Sequence, residues 1–163
     1  MSRKHLLLHG WDSAYEKEAW YPPLTDSLSG ITKEQALWKP QGEPANSIWE
    51  NVSHLIFYKE RFLKRLTGEE TEYPTGITND DTFSIGGATD EEWERTLSRL
   101  KEVHLGIRAK LEEMEEERLD EKIPQTPIGI WMTDLVAHDA YHTGQIILLR
   151  KLQGSWPSRR SFE

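Results

Sequence analysis

Residues 126–153 read TPIGIWMTDLVAHDAYHTGQIILLRKLQ, and this stretch decides the fold. Thr126 can cap a helix, Pro127 suits its first position, and Gly154 ends it. With Trp131 at the zero of a helical wheel, Leu135, Ile146 and Leu149 fall within about 60° of it. His138 and His142 fall within about 20°, on opposite sides. They lie at the centre of an apolar stripe, about 6 Å apart along the axis. Two imidazoles so placed can converge on one metal ion, as in helical H-x-x-x-H sites. The competing reading is two core histidines, each satisfied by a hydrogen bond. Residue 139 is aspartate rather than glutamate, so the protease motif H-E-x-x-H is not met. At about 80° from the stripe centre, Asp139 is also poorly aimed as a base.

Three further helical stretches precede this one, and no strand alternation is evident. The first covers residues 4–29, with a break expected at Pro22-Pro23, where a backbone donor is lost. The second opens on the capping box Ser47-Ile48-Trp49-Glu50 and runs to about Leu66, before Gly68. Its apolar residues include Ile48, Val52, Leu55, Ile56 and Phe62. The third opens on a second box, Thr89-Asp90-Glu91-Glu92. Trp93, Leu97, Leu100, His104, Ile107, Leu111 and Met114 then alternate spacings of four and three, a bundle seam. The acidic run from Glu112 to Glu117 reads as a solvated face. A loop, residues 67–88, joins the second and third stretches, and loops of that length are often functional. The expected architecture is all-α: a four-helix bundle with a long loop between helices two and three, followed by a short tail, residues 155–163.

The chain has 163 residues, which suits a single domain, residues 1–163. That length buries about two-thirds of the unfolded surface without a covalent staple. With no cysteine, the chain has no disulfide, thiolate ligand or cysteine nucleophile of its own. Its 28 acidic and 20 basic residues give a formal charge of −8, a surface that repels phosphate backbones. Nucleic acid is therefore not an expected partner. The apolar run Leu6 to Leu8 is too short for a signal peptide or a membrane span. The expected setting is the cytoplasm. Seven tryptophans supply large buried surfaces and can line a pocket.

Two histidines do not complete a metal site, since a catalytic zinc usually has three protein ligands and an open position. His5 and His9 share the i, i+4 spacing but lie near a terminus that can fray. His104 sits on the seam of the third helix, either as a ligand or as a hydrogen-bonded core residue. His54 falls on the wheel with Ser47, Asn51, Tyr58 and Arg61, away from the most apolar arc. Spacing alone does not favour it over His104. Its position makes sense if the second helix is buried on two sides, or if a polar cleft opens there.

The segment Asn46-Ser47-Ile48-Trp49-Glu50-Asn51-Val52-Ser53-His54-Leu55, with the later His138-Asp139-Ala140-Tyr141-His142-Thr143-Gly144-Gln145-Ile146, resembles the DinB/YfiT-like family. Trp20-Tyr21-Pro22-Pro23-Leu24 and Leu37-Trp38-Lys39-Pro40 are similar to that family too. The resemblance covers nearly the whole chain. It implies a four-helix bundle, commonly a homodimer. It also implies a metal held by three histidines, at His54, His138 and His142 of this sequence. Zinc or nickel is the implied metal, although three neutral nitrogens also suit copper or iron. Some relatives look like thiol-dependent S-transferases or small hydrolases. The implied function is thus a metal-dependent enzyme acting on a small molecule by hydrolysis or thiol transfer. The alternatives are a metal-dependent binding or sensing protein without chemistry, and a structural dimer with incidental metal. No catalytic residue is identified. Asp134, Gln145, Tyr58 and Glu50 are placed to hold an imidazole or donate to substrate. Asp80 and Asp81 can approach the cleft but read better as turn residues.

Overall fold

The computed structural model describes residues 1–42, 44–70 and 74–157. Parts of the expected loop (71–73) and tail (158–163) lie outside them. The described residues form six α-helices, four of them long, and no strand. Helix α1 spans Arg3–Tyr15, α2 Leu24–Leu28, α3 Lys33–Leu37, α4 Ile48–Leu66, α5 Asp90–Glu113 and α6 Ile128–Leu152. Two 3-10 turns, Asp80–Phe83 and Glu116–Asp120, precede and follow α5. None of these helices is long and apolar enough to cross a membrane.

The capping boxes start α4 and α5 as their spacing predicts. Glu50 N–H donates to Ser47 Oγ at 3.2 Å and Ser47 N–H to Glu50 Oε2 at 2.6 Å. Thr89 and Glu92 repeat the pattern. A third box, Thr32 with Gln35, starts the short α3, which sequence reading missed. Other boundaries need correction. The first stretch leaves the helix at Tyr15, well before Pro22-Pro23. Its last turn is tied off when Glu16 and Lys17 N–H both donate to the Asp12 carbonyl. Pro23 instead stands immediately before α2. Thr126 does not cap α6, which begins after Pro127.

Helix α4 lies at the centre of the fold. It packs against α5, α6, α3 and the Asp80–Phe83 turn. One core cluster gathers Trp49, Leu55, Trp93, Leu100 and Ile146, and the other Trp11, Phe62, Ile107, Ile128 and Met132. The α5 seam is buried as its spacing predicts, with Leu97 partly covered. Because α4 is enclosed on several sides, it also buries residues that an apolar wheel would leave outside: Asn51, His54, Lys59 and Arg65.

The buried Lys59 bridges three helices. Its Nζ donates to Asp139 Oδ2 of α6 at 2.5 Å and lies 3.3 Å from His104 Nδ1 of α5. It also sits 3.9 Å above the Trp11 ring of α1. Burial pulls the Lys59 ammonium down and pushes the Asp139 carboxyl up, and each opposes the shift in the other. His104 is stacked between Trp11 and Tyr15, with ring centroids at 4.4 and 3.9 Å. Burial, then Lys59 and Arg108, push its pKa down to about 2. A neutral His104 can therefore accept from Lys59. It is a hydrogen-bonded core residue at the junction of α1, α4 and α5.

Candidate metal centre

His54 comes from the second turn of α4, and His138 and His142 from successive turns of α6. One ring nitrogen from each lies within 4.8 Å of the other two. The α6 pair converges because residues four apart share a helix face. His54 faces them across the α4–α6 contact.

Hydrogen bonds behind the rings fix which nitrogens face inward. Thr82 Oγ1 gives its one proton to the Asn79 carbonyl at 2.5 Å, so it can only accept from His54. His54 Nδ1–H therefore donates to Thr82 Oγ1 at 2.5 Å, leaving the Nε2 lone pair bare. Asn51 Nδ2 donates to the Ser47 carbonyl at 2.8 Å, which turns its Oδ1 toward His142. His142 Nδ1–H donates to that oxygen at 2.7 Å, so its Nε2 is bare as well. His54 Nε2 and His138 Nε2 lie 2.9 Å apart. Since the His54 proton is on Nδ1, the proton between them comes from His138. Partners that lock the outer nitrogen in this way are what metal-ligating histidines require.

The Asp80–Phe83 turn covers the face of α4 that looked too polar for a ligand. Phe83 stacks on His54 at 3.9 Å and 11°. Asp81 accepts from Thr78 N–H and Oγ1 at 2.7 Å each, which makes it a turn residue as expected. Burial is the main cause that pushes the histidine pKa values below 6.5, to about 3 for His54 and about 4 for His138 and His142. Mutual repulsion adds to this for His54 and His142. Lys59 adds to it for His138. All three are neutral at pH 7, the state in which imidazole binds a cation.

These shifts have a measurable consequence. The unfolded histidines take up protons near pH 6.5, while the folded ones resist until about 3 to 4. Between those limits the unfolded chain binds more protons, so stability falls as pH falls. His104 adds to the effect in the same direction. Urea titrations of metal-free protein should show the midpoint dropping steadily from about pH 7 to about pH 4.5. A flat profile across that window would contradict the burial of these rings as neutral bases.

A cleft of about 390 Å³ opens beside His54 and His138, lined also by Tyr58, Arg61, Asn79, Trp131, Asp134 and Leu135. Tyr58 meets both rings edge-on, at 5.0 and 5.3 Å, but its hydroxyl donates to Asn79 Oδ1 at 3.1 Å. Arg61 is paired with Glu70 at 3.3 Å. Asp134 is the cleft's carboxylate. Gln145 is half-buried and outside the cleft lining. Glu50 is a correction: it caps α4 and pairs with Lys39, away from the histidines. Asp139 is no base for the centre, being held by Lys59. His5 and His9 are exposed on α1. Asn51, Asn79, Thr82 and Phe83 are the residues that sequence reading missed. Asn51 sits one turn before His54, where a polar residue at a buried position was the available signal. Asn79, Thr82 and Phe83 arrive from a loop that carries no periodicity.

A helical bundle with three imidazoles converging beside an open cleft defines a class of metal-binding helical proteins. The chain belongs to the DinB superfamily, whose family model matches residues 22–146 and so includes all three histidines. No curated protein and no solved structure matches the chain.

Proposed function

We propose that this chain is a metal-dependent enzyme acting on a small molecule, with a divalent ion held by Nε2 of His54, His138 and His142. The observation that carries the reading is the locked tautomers. Thr82 and Asn51 hold the outer protons of His54 and His142, so their bare nitrogens converge with His138, and His54 and His138 line an open cleft. An ion replacing the proton shared by His54 and His138 would meet three neutral donors, a set that suits zinc or nickel. When bound, it would supply Lewis acidity, activating a water or a small-molecule thiol at neutral pH.

The chain's own residues do the rest. Trp131 and Leu135 give the cleft an apolar wall, and its volume suits a small molecule. Arg61, Asn79 and the Tyr58 hydroxyl offer polar contacts that orient a substrate. Asp134, at the cleft and exposed, is the group placed to accept a proton. Phe83 lies over His54 and keeps water from its outer face. Hydrolysis and thiol S-transfer both fit this arrangement. A cysteine-free acidic chain suits the cytoplasm.

One observation favours a second reading, a protein that binds or senses a ligand without turning it over. The Tyr58 hydroxyl is engaged by Asn79 and Asp139 by Lys59, which leaves Asp134 as the cleft's remaining acid–base group. Metal-loaded protein screened against ester, amide and thiol-transfer substrates separates the two. The enzyme reading predicts turnover that Asp134→Asn reduces by about 10²–10⁴-fold, the usual weight of a general base. Bound metal and ligand with no turnover across the screen would favour the binding protein.

A further inference from the structure

The cleft beside the histidines has a direction. Helices α4 and α6 run antiparallel along it: Asn51 meets His142, His54 meets His138, and Phe62 stacks on Trp131. The lining residues therefore stand in three tiers. His54 and His138 form one end. Tyr58 and Asp134 stand one helical turn further on, and Arg61 and Trp131 stand two turns on, at the far end. That end is firmly built. Trp131 packs against the Phe62 ring at 5.5 Å and the Arg65 guanidinium at 4.9 Å. Arg61 Nε is paired with Glu70 at 3.3 Å, which fixes the direction of its guanidinium.

The two walls differ in chemistry. The α6 wall is apolar at Trp131 and Leu135, with the Asp134 carboxylate between them. The opposite wall supplies N–H donors. Asn79 Oδ1 accepts from the Tyr58 hydroxyl at 3.1 Å, so the Asn79 amide faces a ligand as a donor, through Nδ2. A guanidinium has five N–H donors, so Arg61 can hold Glu70 and a second oxyanion together.

We propose that the cleft takes a short acid, whose reactive group binds at the histidines and whose carboxylate is held by Arg61; this rests on the reading of the centre as a metal site. Arg61 then sets specificity and touches no reacting atom. Its place also sets the length of the acid. Arg61 lies two turns beyond His54, about 10 Å along the axis. A metal–ligand bond and a charge-assisted hydrogen bond take up nearly half of this. The remainder is spanned by about five bonds of an extended chain. Trp131 and Leu135 cover the apolar link between the two ends. Charge sets the lower limit. A shorter acid would leave its carboxylate level with Asp134, like charge against like.

The test reads binding, so it does not depend on finding the reaction. The probes are linear hydroxamates, whose head group binds zinc. They carry about one to six methylenes and end in a carboxylate or a methyl group. Calorimetry on the zinc-loaded chain should show the acid series binding best at about two methylenes. There it should exceed the methyl probe by at least about tenfold, the weight of one hydrogen bond between charged groups. Arg61→Met should erase that advantage and leave the methyl series unchanged, with zinc and helix content kept. Asp134→Asn, at an exposed position, should strengthen the shortest acid alone. Acid and methyl probes of equal affinity at every length would overturn the proposal. So would an acid advantage that survives Arg61→Met, or zinc-loaded protein that binds none of the probes. A chain that takes up no zinc would sink the metal reading and the proposal with it, and zinc content separates that failure from the others.

Discussion

Replacing Lys59 with methionine should lower the unfolding free energy by about 3–5 kcal/mol, the usual consequence of stranding a buried charge. Both members of the Lys59–Asp139 pair are fully buried. Asp139 Oδ1 has no hydrogen-bond partner among the described residues, so Lys59 is the group that keeps the carboxylate tolerable. Methionine retains most of the aliphatic stem but removes the ammonium that sits over Trp11, which tests the charge with most of the packing kept. Domains of this kind are stable by about 5–15 kcal/mol, so the variant should be severely weakened or unfolded near neutral pH. Lys59→Met with Asp139→Leu should recover most of the loss, because two apolar groups in place of a buried ion pair are often neutral. Urea denaturation of the four proteins in that cycle gives the coupling energy directly. Single variants that lose less than about 1 kcal/mol, a surface pair's worth, would show that Lys59 and Asp139 do not form the buried pair described.

Replacing His142 with alanine should abolish stoichiometric metal binding while leaving a folded chain. It removes one of three donors, and the remaining two match no usual zinc site. Replacing Asn51 with leucine is subtler. The His142 ring stays, but the oxygen that holds its Nδ1 proton is lost. Such changes one step behind a ligand typically weaken metal binding 10- to 100-fold. Competition with a coloured chelator should therefore order the proteins as wild type, Asn51→Leu, His142→Ala. Circular dichroism should show helix content retained in all three. Equal affinity for wild type and Asn51→Leu would contradict the tautomer lock.

Much of this site is legible in the sequence, and the remainder is hidden for physical reasons. His138 and His142 declare themselves because their helix has one strongly apolar arc and they lie at its centre. The seam of α5 and the capping boxes are local patterns, and local patterns survive into the fold. His54 is different. Its arc of α4 carries Asn51 and Tyr58, and it reads as solvent-facing until a turn from the loop covers it with Thr82 and Phe83. Only the family resemblance identifies it beforehand. Lys59 is hidden in the same way, since nothing local says that its charge will meet Asp139 some 80 residues later. The end of α1 at Tyr15 has no proline to mark it. The Thr32–Gln35 box was available to reading, but a five-residue helix leaves no periodicity to confirm it.

The central claim is that three neutral imidazoles, two of them locked from behind, form a resident metal site. Elemental analysis of untagged protein, purified without chelator, tests it most directly. The account predicts about one divalent ion per folded chain, lost in His142→Ala. A folded wild-type protein carrying less than about a tenth of an ion per chain, and gaining no thermal stability from added zinc or nickel, would contradict it.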